Sequence, residues 1–274
     1  MRSLNKRLIV SDFDGTLINS QNTITDNVRL AINEYVACGG IFAVCTGRML
    51  CSILPRVREL GLKGLVAAYQ GSVIADIESG EFLRHNSLKS RDCAEICAFA
   101  ESYNFTCNAY SDEVLYTSIA KGDKGLETYE KITGVKAVNI DGAMSQFIQK
   151  NGLSCNKITF LVYPDDRERL YKLLQNEFAD RFDVTCSAVC LVEVSPKGDD
   201  KGMALKFIAD YFGIDMSSTV AIGDNLNDLS MINAASVGIA VGNAVDELKE
   251  AADYVSVSNN EDAVAEIIEK FGFR

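Results

Sequence analysis

The sequence predicts an α/β protein, a doubly wound Rossmann-like parallel sheet core carrying an inserted α+β cap domain. Short apolar runs at Leu8-Ile9-Val10, Ile41-Phe42-Ala43-Val44-Cys45 and Thr219-Val220-Ala221-Ile222 have strand length and alternate with helix-period segments. Each of these runs ends in a polar turn containing glycine, at the carboxyl end of a strand, where open α/β sheets place their ligands. From residue 85 to residue 189 the rhythm changes to helices mixed with alternating strands, and it resumes near Lys201. The expected division is therefore a core of residues 1–84 and 190–274 around a cap of residues 85–189.

The elements follow in order. After the first strand, Thr25 and Asp26 cap an apolar-periodic helix through Val28, Ile32, Tyr35 and Val36, which stops at Gly39-Gly40. The second strand, Ile41 to Cys45, precedes a helix from Met49 to Leu60 and a third strand from Leu65 to Tyr69. Segments 72–77 and 81–84 read as a hairpin turning at Ser79-Gly80. Within the insert, helices are expected over 91–103 and 165–178, with strands over 114–117, 157–162, 182–186 and 189–194. The core then continues with a helix from Gly202 to Phe212, a strand from Thr219 to Ile222, a helix from Leu229 to Ala235 and a strand from Val237 to Val241.

Composition narrows the function. The chain has 274 residues, 47% of them apolar, which is ample for a sizeable core. A net charge of −11 argues against a nucleic-acid or anionic-membrane surface, so a phosphate ligand needs local positive charge. Nine cysteines stand scattered without a CxxC pair or a secretory apolar region, which reads as reduced thiols and a cytoplasmic location. His85 is the single histidine, so neither a zinc site nor a histidine-activated nucleophile is favoured. No apolar run approaches the roughly 18 residues of a membrane span.

The chemistry-bearing residues lie at the strand ends. Asp12 and Asp14, in Asp12-Phe13-Asp14-Gly15-Thr16, are two acids beside a glycine turn, and such acids repel unless a cation lies between them. That implies a hard, oxygen-liganded ion such as Mg²⁺. Gly223-Asp224-Asn225-Leu226-Asn227-Asp228 forms a second acidic cluster, in which Asp224 is placed to complete the ligand set with Asp12 and the Asp14 carbonyl. Asn227 and Asp228 fit supporting positions behind it. Lys201, at the start of a helix, is favoured over Lys197 as the cation that reaches a bound phosphate.

Taken in order, DFDGT at 12–16, TGR at 46–48, the Lys201-Gly202-Met203-Ala204-Leu205 segment, GDNLNDLSM at 223–231 and Gly242-Asn243-Ala244 resemble the motifs of the haloacid dehalogenase superfamily. The resemblance is to its Cof-like phosphatases of subfamily IIB, whose C2B cap matches the long insert. One departure is Gln70-Gly71, where those proteins usually carry Asn-Gly, and this bears on specificity.

The resemblance implies a Mg²⁺-dependent phosphatase acting on small phosphorylated metabolites, sugar phosphates first. Asp12 would be the nucleophile that forms an aspartyl-phosphate, and Asp14 the acid and base. Asp12, Asp14 and Asp224 would hold the metal, with Asn225 and Asp228 behind them. Gly15, Thr16, Thr46, Gly47, Arg48, Lys201 and Asn227 would bind the phosphate or substrate. Asn108, Tyr110, Asp112, Lys121 and Lys124 are the polar or aromatic cap candidates for the leaving group. Two rival readings are a phosphosugar mutase similar to the phosphomannomutase branch and a non-enzymatic phosphoacceptor or phospholigand-binding protein. The intact Asp14 argues against the second, because an acid placed to activate water shortens the life of a phosphoaspartate.

Overall fold

The computed structural model describes residues 2–188 and 190–274. Strand β1 (Leu8–Ser11) is buried along its whole length and runs into a tight turn over Phe13–Leu17. Helix α1 (Asp26–Ala37) starts where Thr25 Oγ1 accepts the Val28 N–H at 3.3 Å. Strand β2 (Ile41–Cys45), helix α2 (Leu50–Glu59) and strands β3 (Leu65–Ala68), β4 (Val73–Asp76) and β5 (Phe82–His85) follow. Next come α3 (Ser90–Ser102), β6 (Asn108–Ser111), β7 (Val114–Thr117), α4 (Lys124–Thr133), β8 (Ala137–Asn139) and α5 (Met144–Asn151). Strand β9 (Lys157–Leu161), helix α6 (Pro164–Phe178) and strands β10 (Phe182–Ala188) and β11 (Leu191–Pro196) lead to α7 (Lys201–Tyr211). The chain ends through β12 (Thr219–Gly223), α8 (Leu229–Ala234), β13 (Val237–Ala240), α9 (Asp246–Ala251), β14 (Tyr254–Val255) and α10 (Ala263–Ile267).

Two compact units result, one of Met1–Gly47, Ile53–Arg84 and Asp200–Arg274, the other of Arg48–Ser52 and His85–Asp199. The first holds an eight-stranded sheet in the order β14-β13-β12-β1-β2-β3-β4-β5. Its strands from β14 to β3 pair in parallel, and β4 joins β3 antiparallel. Strand β1 is paired on both edges, by β12 and β2, and its four residues are all buried, so both faces are covered as well, which is why Leu8-Ile9-Val10 is an unbroken apolar run rather than an alternation. The doubly wound fold class is borne out.

The second unit holds a six-stranded sheet in the order β10-β11-β9-β6-β7-β8, antiparallel except between β7 and β8. One face, with Ala109, Ile158, Phe160, Val192 and Val194, packs in a hydrophobic core with Cys93, Ile96 and Cys97 of α3, Ile148 of α5 and Leu170 and Leu174 of α6. Residues of the opposite parity, Asn108, Thr117, Lys157, Thr159 and Glu193, are polar yet buried. There Lys157 Nζ bonds Glu193 Oε1 at 2.8 Å, and Asn108 stands opposite Thr117 and Thr159.

The insert extends past the expected limit at residue 189. Strand β11 pairs with β9 and β10, so hydrogen bonding assigns residues 190–199 to the second unit, and the division falls between Asp199 and Asp200. Val189, expected to open that strand, lies outside the described residues. Among the described residues no helix is long and apolar enough to cross a membrane. All nine cysteines are free thiols.

Candidate active site

The first unit gathers its charged groups where the central strands end. Asp12 directly follows β1, and its N–H donates to Ile222 O at 2.9 Å, which fixes the residue against β12. The oxygens of Asp12, Asp224 and Asp228 lie within 4.8 Å of one another. Lys201, the first residue of α7, is fully buried beside them, with Nζ 2.7 Å from Asp12 Oδ1 and 2.5 Å from Asp228 Oδ1. The helix itself is started by Asp200, whose Oδ1 accepts the Met203 N–H at 2.7 Å, so the capping residue places the lysine.

These oxygens have different amounts of freedom. Asp228 uses Oδ1 for Lys201, while its Oδ2 accepts the backbone N–H groups of Asp224 at 2.9 Å and Asn225 at 3.1 Å. Asp228 thus builds the turn and braces the lysine. Asp224 Oδ1 accepts the Thr16 hydroxyl at 2.9 Å. Gly15 has φ +74°, and a Cβ there would stand 2.5 Å from Asp224 Oδ2, so glycine is required both for the backbone and for the space. The Gly15 carbonyl accepts Asn243 Nδ2 at 2.8 Å, and Val245 N–H donates to Asp224 O at 2.9 Å. Asn243 is a supporting residue whose role sequence reasoning missed, although the Gly242-Asn243-Ala244 segment after β13 marks its place.

Fully ionised, three acids and one lysine carry a formal charge of minus two, in a site where Asp12, Asp228 and Lys201 are largely withdrawn from water. Burial, reinforced by Asp228, raises the Asp12 carboxyl well above the usual range, against the opposing pull of Lys201. Burial and Asp228 also push Asp224 up to about 6. Burial alone would lower Lys201, but Asp12 and Asp228 outweigh it and hold the ammonium charged. A cluster of this kind takes up protons or a cation, and a donor set made of oxygens fits a hard divalent ion such as Mg²⁺.

A second loop comes from the end of β2. Thr46 is buried, its N–H donates to Ala67 O at 2.9 Å and its carbonyl accepts the Gln70 N–H at 2.9 Å. Gln70 Oε1 accepts Asn227 Nδ2 at 3.1 Å, which joins this loop to the turn that carries Asp224 and Asp228.

The other expected site residues are placed as follows. The Thr16 hydroxyl, expected at the phosphate, is given to Asp224, because the turn after β1 folds it toward β12. Asp14 lies beyond the end of β1, in the turn over Phe13–Leu17, and the acids that cluster with Asp12 are Asp224 and Asp228. Asn225 uses its Oδ1 to cap the Leu226 N–H at 2.8 Å. Arg48 groups with the second unit, where its Nη1 lies 3.4 Å from Ser52 Oγ. The rival Lys197 is exposed and bonds the Ala179 carbonyl, which leaves Lys201 as the lysine of the acidic cluster. Of the cap candidates, Asn108 and Tyr110 are buried, and the Tyr110 hydroxyl lies 2.5 Å from that of Tyr129. Asp112, Lys121 and Lys124 are exposed.

Strand-end acids, a buried lysine and a threonine loop on a doubly wound sheet are groups suited to phosphoryl chemistry, and comparison with known proteins gives the class. The sequence profile of haloacid dehalogenase-like hydrolases matches residues 9–268. The chain belongs to this family, among its Cof-like phosphatases. It is 30% identical over 268 residues to a Streptococcus pyogenes protein named as a phosphatase, covering 97% of this chain and 98% of that one. It is also 30% identical, over an alignment of 287 positions, to the 5-amino-6-(5-phospho-D-ribitylamino)uracil phosphatase YwtE of Bacillus subtilis, covering 96% of this chain and 97% of that one. A crystal structure of a haloacid dehalogenase-like hydrolase from Bacteroides thetaiotaomicron superposes with a TM-score of 0.86 at 28% identity, covering 97% of this chain and 99% of that one.

Proposed function

We propose that this phosphatase hydrolyses small phosphorylated metabolites, sugar phosphates or related phosphorylated polyols, through a phosphoaspartate on Asp12. The observation that carries the reading is the grip of Lys201 on Asp12 Oδ1 at 2.7 Å, braced in turn by Asp228. It orients one carboxylate at the end of β1 and places a buried positive charge beside it, where the oxygens of a transferring phosphoryl group gain negative charge.

In the first half-reaction a carboxylate oxygen of Asp12 bonds to phosphorus while the bond from phosphorus to the leaving oxygen breaks, and Asp14 gives that oxygen its proton. Water then attacks phosphorus, Asp14 takes the proton back, and the bond to Asp12 breaks to release inorganic phosphate. Asp12, Asp224 and the Asp14 carbonyl are the groups to hold Mg²⁺, which when bound offsets the negative charge of the acids and of the phosphoryl oxygens. Thr46, Gly47, Lys201 and Asn227 are assigned to the phosphate, and Arg48 to the phosphate or substrate. Asp228 and Asn225 support the metal ligands through the turn they build. The name of the YwtE relative, a phosphatase of a phosphorylated ribityl compound, supports a phosphorylated polyol chain as one substrate class. Nine free thiols support a reducing, cytoplasmic setting.

The test is phosphate release from a panel of phosphorylated metabolites with Mg²⁺, beside Asp12→Asn and a chelator control. Release that survives Asp12→Asn would reject the covalent route, and full release in chelator would reject the metal. Formation of an isomeric monophosphate from a sugar bisphosphate would mark a mutase instead.

A further inference from the structure

Tyr69, Gln70 and Gly71 succeed one another at φ +50°, +60° and +104°. Only the last is a residue at ease in that region, and two side-chain-bearing residues in a row there are held by their surroundings. The surroundings are on hand. Gln70 N–H is tied to Thr46 O, and the N–H and hydroxyl of Ser72 both donate to Tyr69 O, at 3.2 and 3.1 Å. Gly71 lies so close to the backbone of α7's cap that a Cβ would stand 2.7 Å from Asp200 O.

Asparagine tolerates the left-handed region better than glutamine does, so local backbone preference does not explain Gln70. Reach does. The longer side chain brings Oε1 to Asn227 Nδ2, and it lays Nε2 over Gly47, 2.6 Å from where a Cβ of residue 47 would stand. One amide thereby touches the loop after β2 and the turn after β12, two segments that no strand pairing joins.

We propose that Gln70 is a positioning residue for the phosphoryl group, a strained bridge that sets Asn227 and the Gly47 backbone at a fixed separation so that both meet the same phosphate. This rests on the phosphatase mechanism proposed above. Gln70 takes one of the two Asn227 amide N–H groups, so that amide keeps a second donor, and Gln70 Nε2 is a further donor beside Gly47. A shorter residue releases Asn227, and an acidic one sets a negative charge against the phosphate.

The experiment measures inorganic phosphate binding by calorimetry with Mg²⁺ for wild type, Gln70→Asn and Gln70→Glu, with thermal melting, KM and kcat for each. Gln70→Asn is expected to melt at or above the wild-type temperature while its phosphate Kd and KM rise about fivefold, because the backbone relaxes and the bridge is lost. Gln70→Glu keeps length and shape, so it is expected to melt near wild type with Kd and KM up tenfold or more and kcat changed less. Both variants binding phosphate within twofold of wild type would overturn the proposal, as would losses that merely track a fall in melting temperature. A wild-type protein that neither binds nor releases phosphate would instead overturn the phosphatase mechanism, so the two failures are distinguishable.

Discussion

The hydroxyl of Thr16 donates to Asp224 Oδ1 at 2.9 Å across a sequence separation of 208 residues. This bond fixes one carboxylate of the proposed metal site from the neighbouring strand end, so the two acids of that site share a framework although they stand far apart in the chain.

Thr16→Val keeps the shape and removes the donor. A net hydrogen bond of about 1 kcal/mol corresponds to roughly fivefold in an equilibrium constant, so the Mg²⁺ concentration for half-maximal activity is expected to rise several-fold with kcat at saturation changed little. Metal titration of the steady-state rate checks this, and an unchanged midpoint would remove Thr16 from the metal framework.

Lys201→Met leaves three acids with no buried cation among them. Removing one partner of a buried charge network costs on the order of 3–5 kcal/mol, so the melting temperature without Mg²⁺ is expected to fall sharply. Added Mg²⁺ should restore part of the loss by binding the surplus acids, while turnover stays at least a hundredfold below wild type. Melting curves with and without the ion decide it, and a variant as stable as wild type in chelator would contradict the charge accounting.

Glu266 gives an acid-sensitive contribution to stability. Burial raises its carboxyl, but the hydroxyls of Ser256 and Tyr254 and the Val257 N–H outweigh this and hold it below the ordinary range. A group with a folded-state value below its unfolded one stabilises fully above the unfolded value, near 4.3, and loses that contribution as pH falls through the folded value. Glu266→Gln is therefore expected to melt below wild type at pH 7, with the two curves converging in acid. A constant gap across the pH range would refute the linkage.

Asn108 carries a buried side-chain amide whose oxygen and nitrogen have no hydrogen-bond partner among the described residues. Such a group costs about 1–3 kcal/mol, so Asn108→Leu, of similar size, is expected to raise the melting temperature. If the amide serves substrate, the same variant loses kcat/KM. A fall in stability would show that the amide is satisfied in solution.

How much of this was legible in the sequence depends on where a residue's partners lie. Strands β1, β2 and β12 were readable because both faces are buried and the apolar runs are uninterrupted, and the residues that follow them inherited their place from the fold. Helix α4, by contrast, has Leu126 as its buried residue, and its polar sequence offered little periodicity. The end of the insert depended on the register of β11 against β9, a long-range property that composition does not carry. The bond from Asn243 to Gly15 and the bridge from Gln70 to Asn227 join segments far apart in the chain, so neither was visible in any local pattern.

The position of β1 between β12 and β2 has a kinetic consequence. A strand hydrogen-bonded on both edges and covered on both faces opens only when its neighbours do, so its amides should exchange with solvent near the rate of global unfolding. Asp12 is thereby anchored to one of the central strands expected to exchange most slowly in this unit. Motion at the proposed nucleophile therefore has to come from the residues beyond Ser11, with the strand serving as a fixed post.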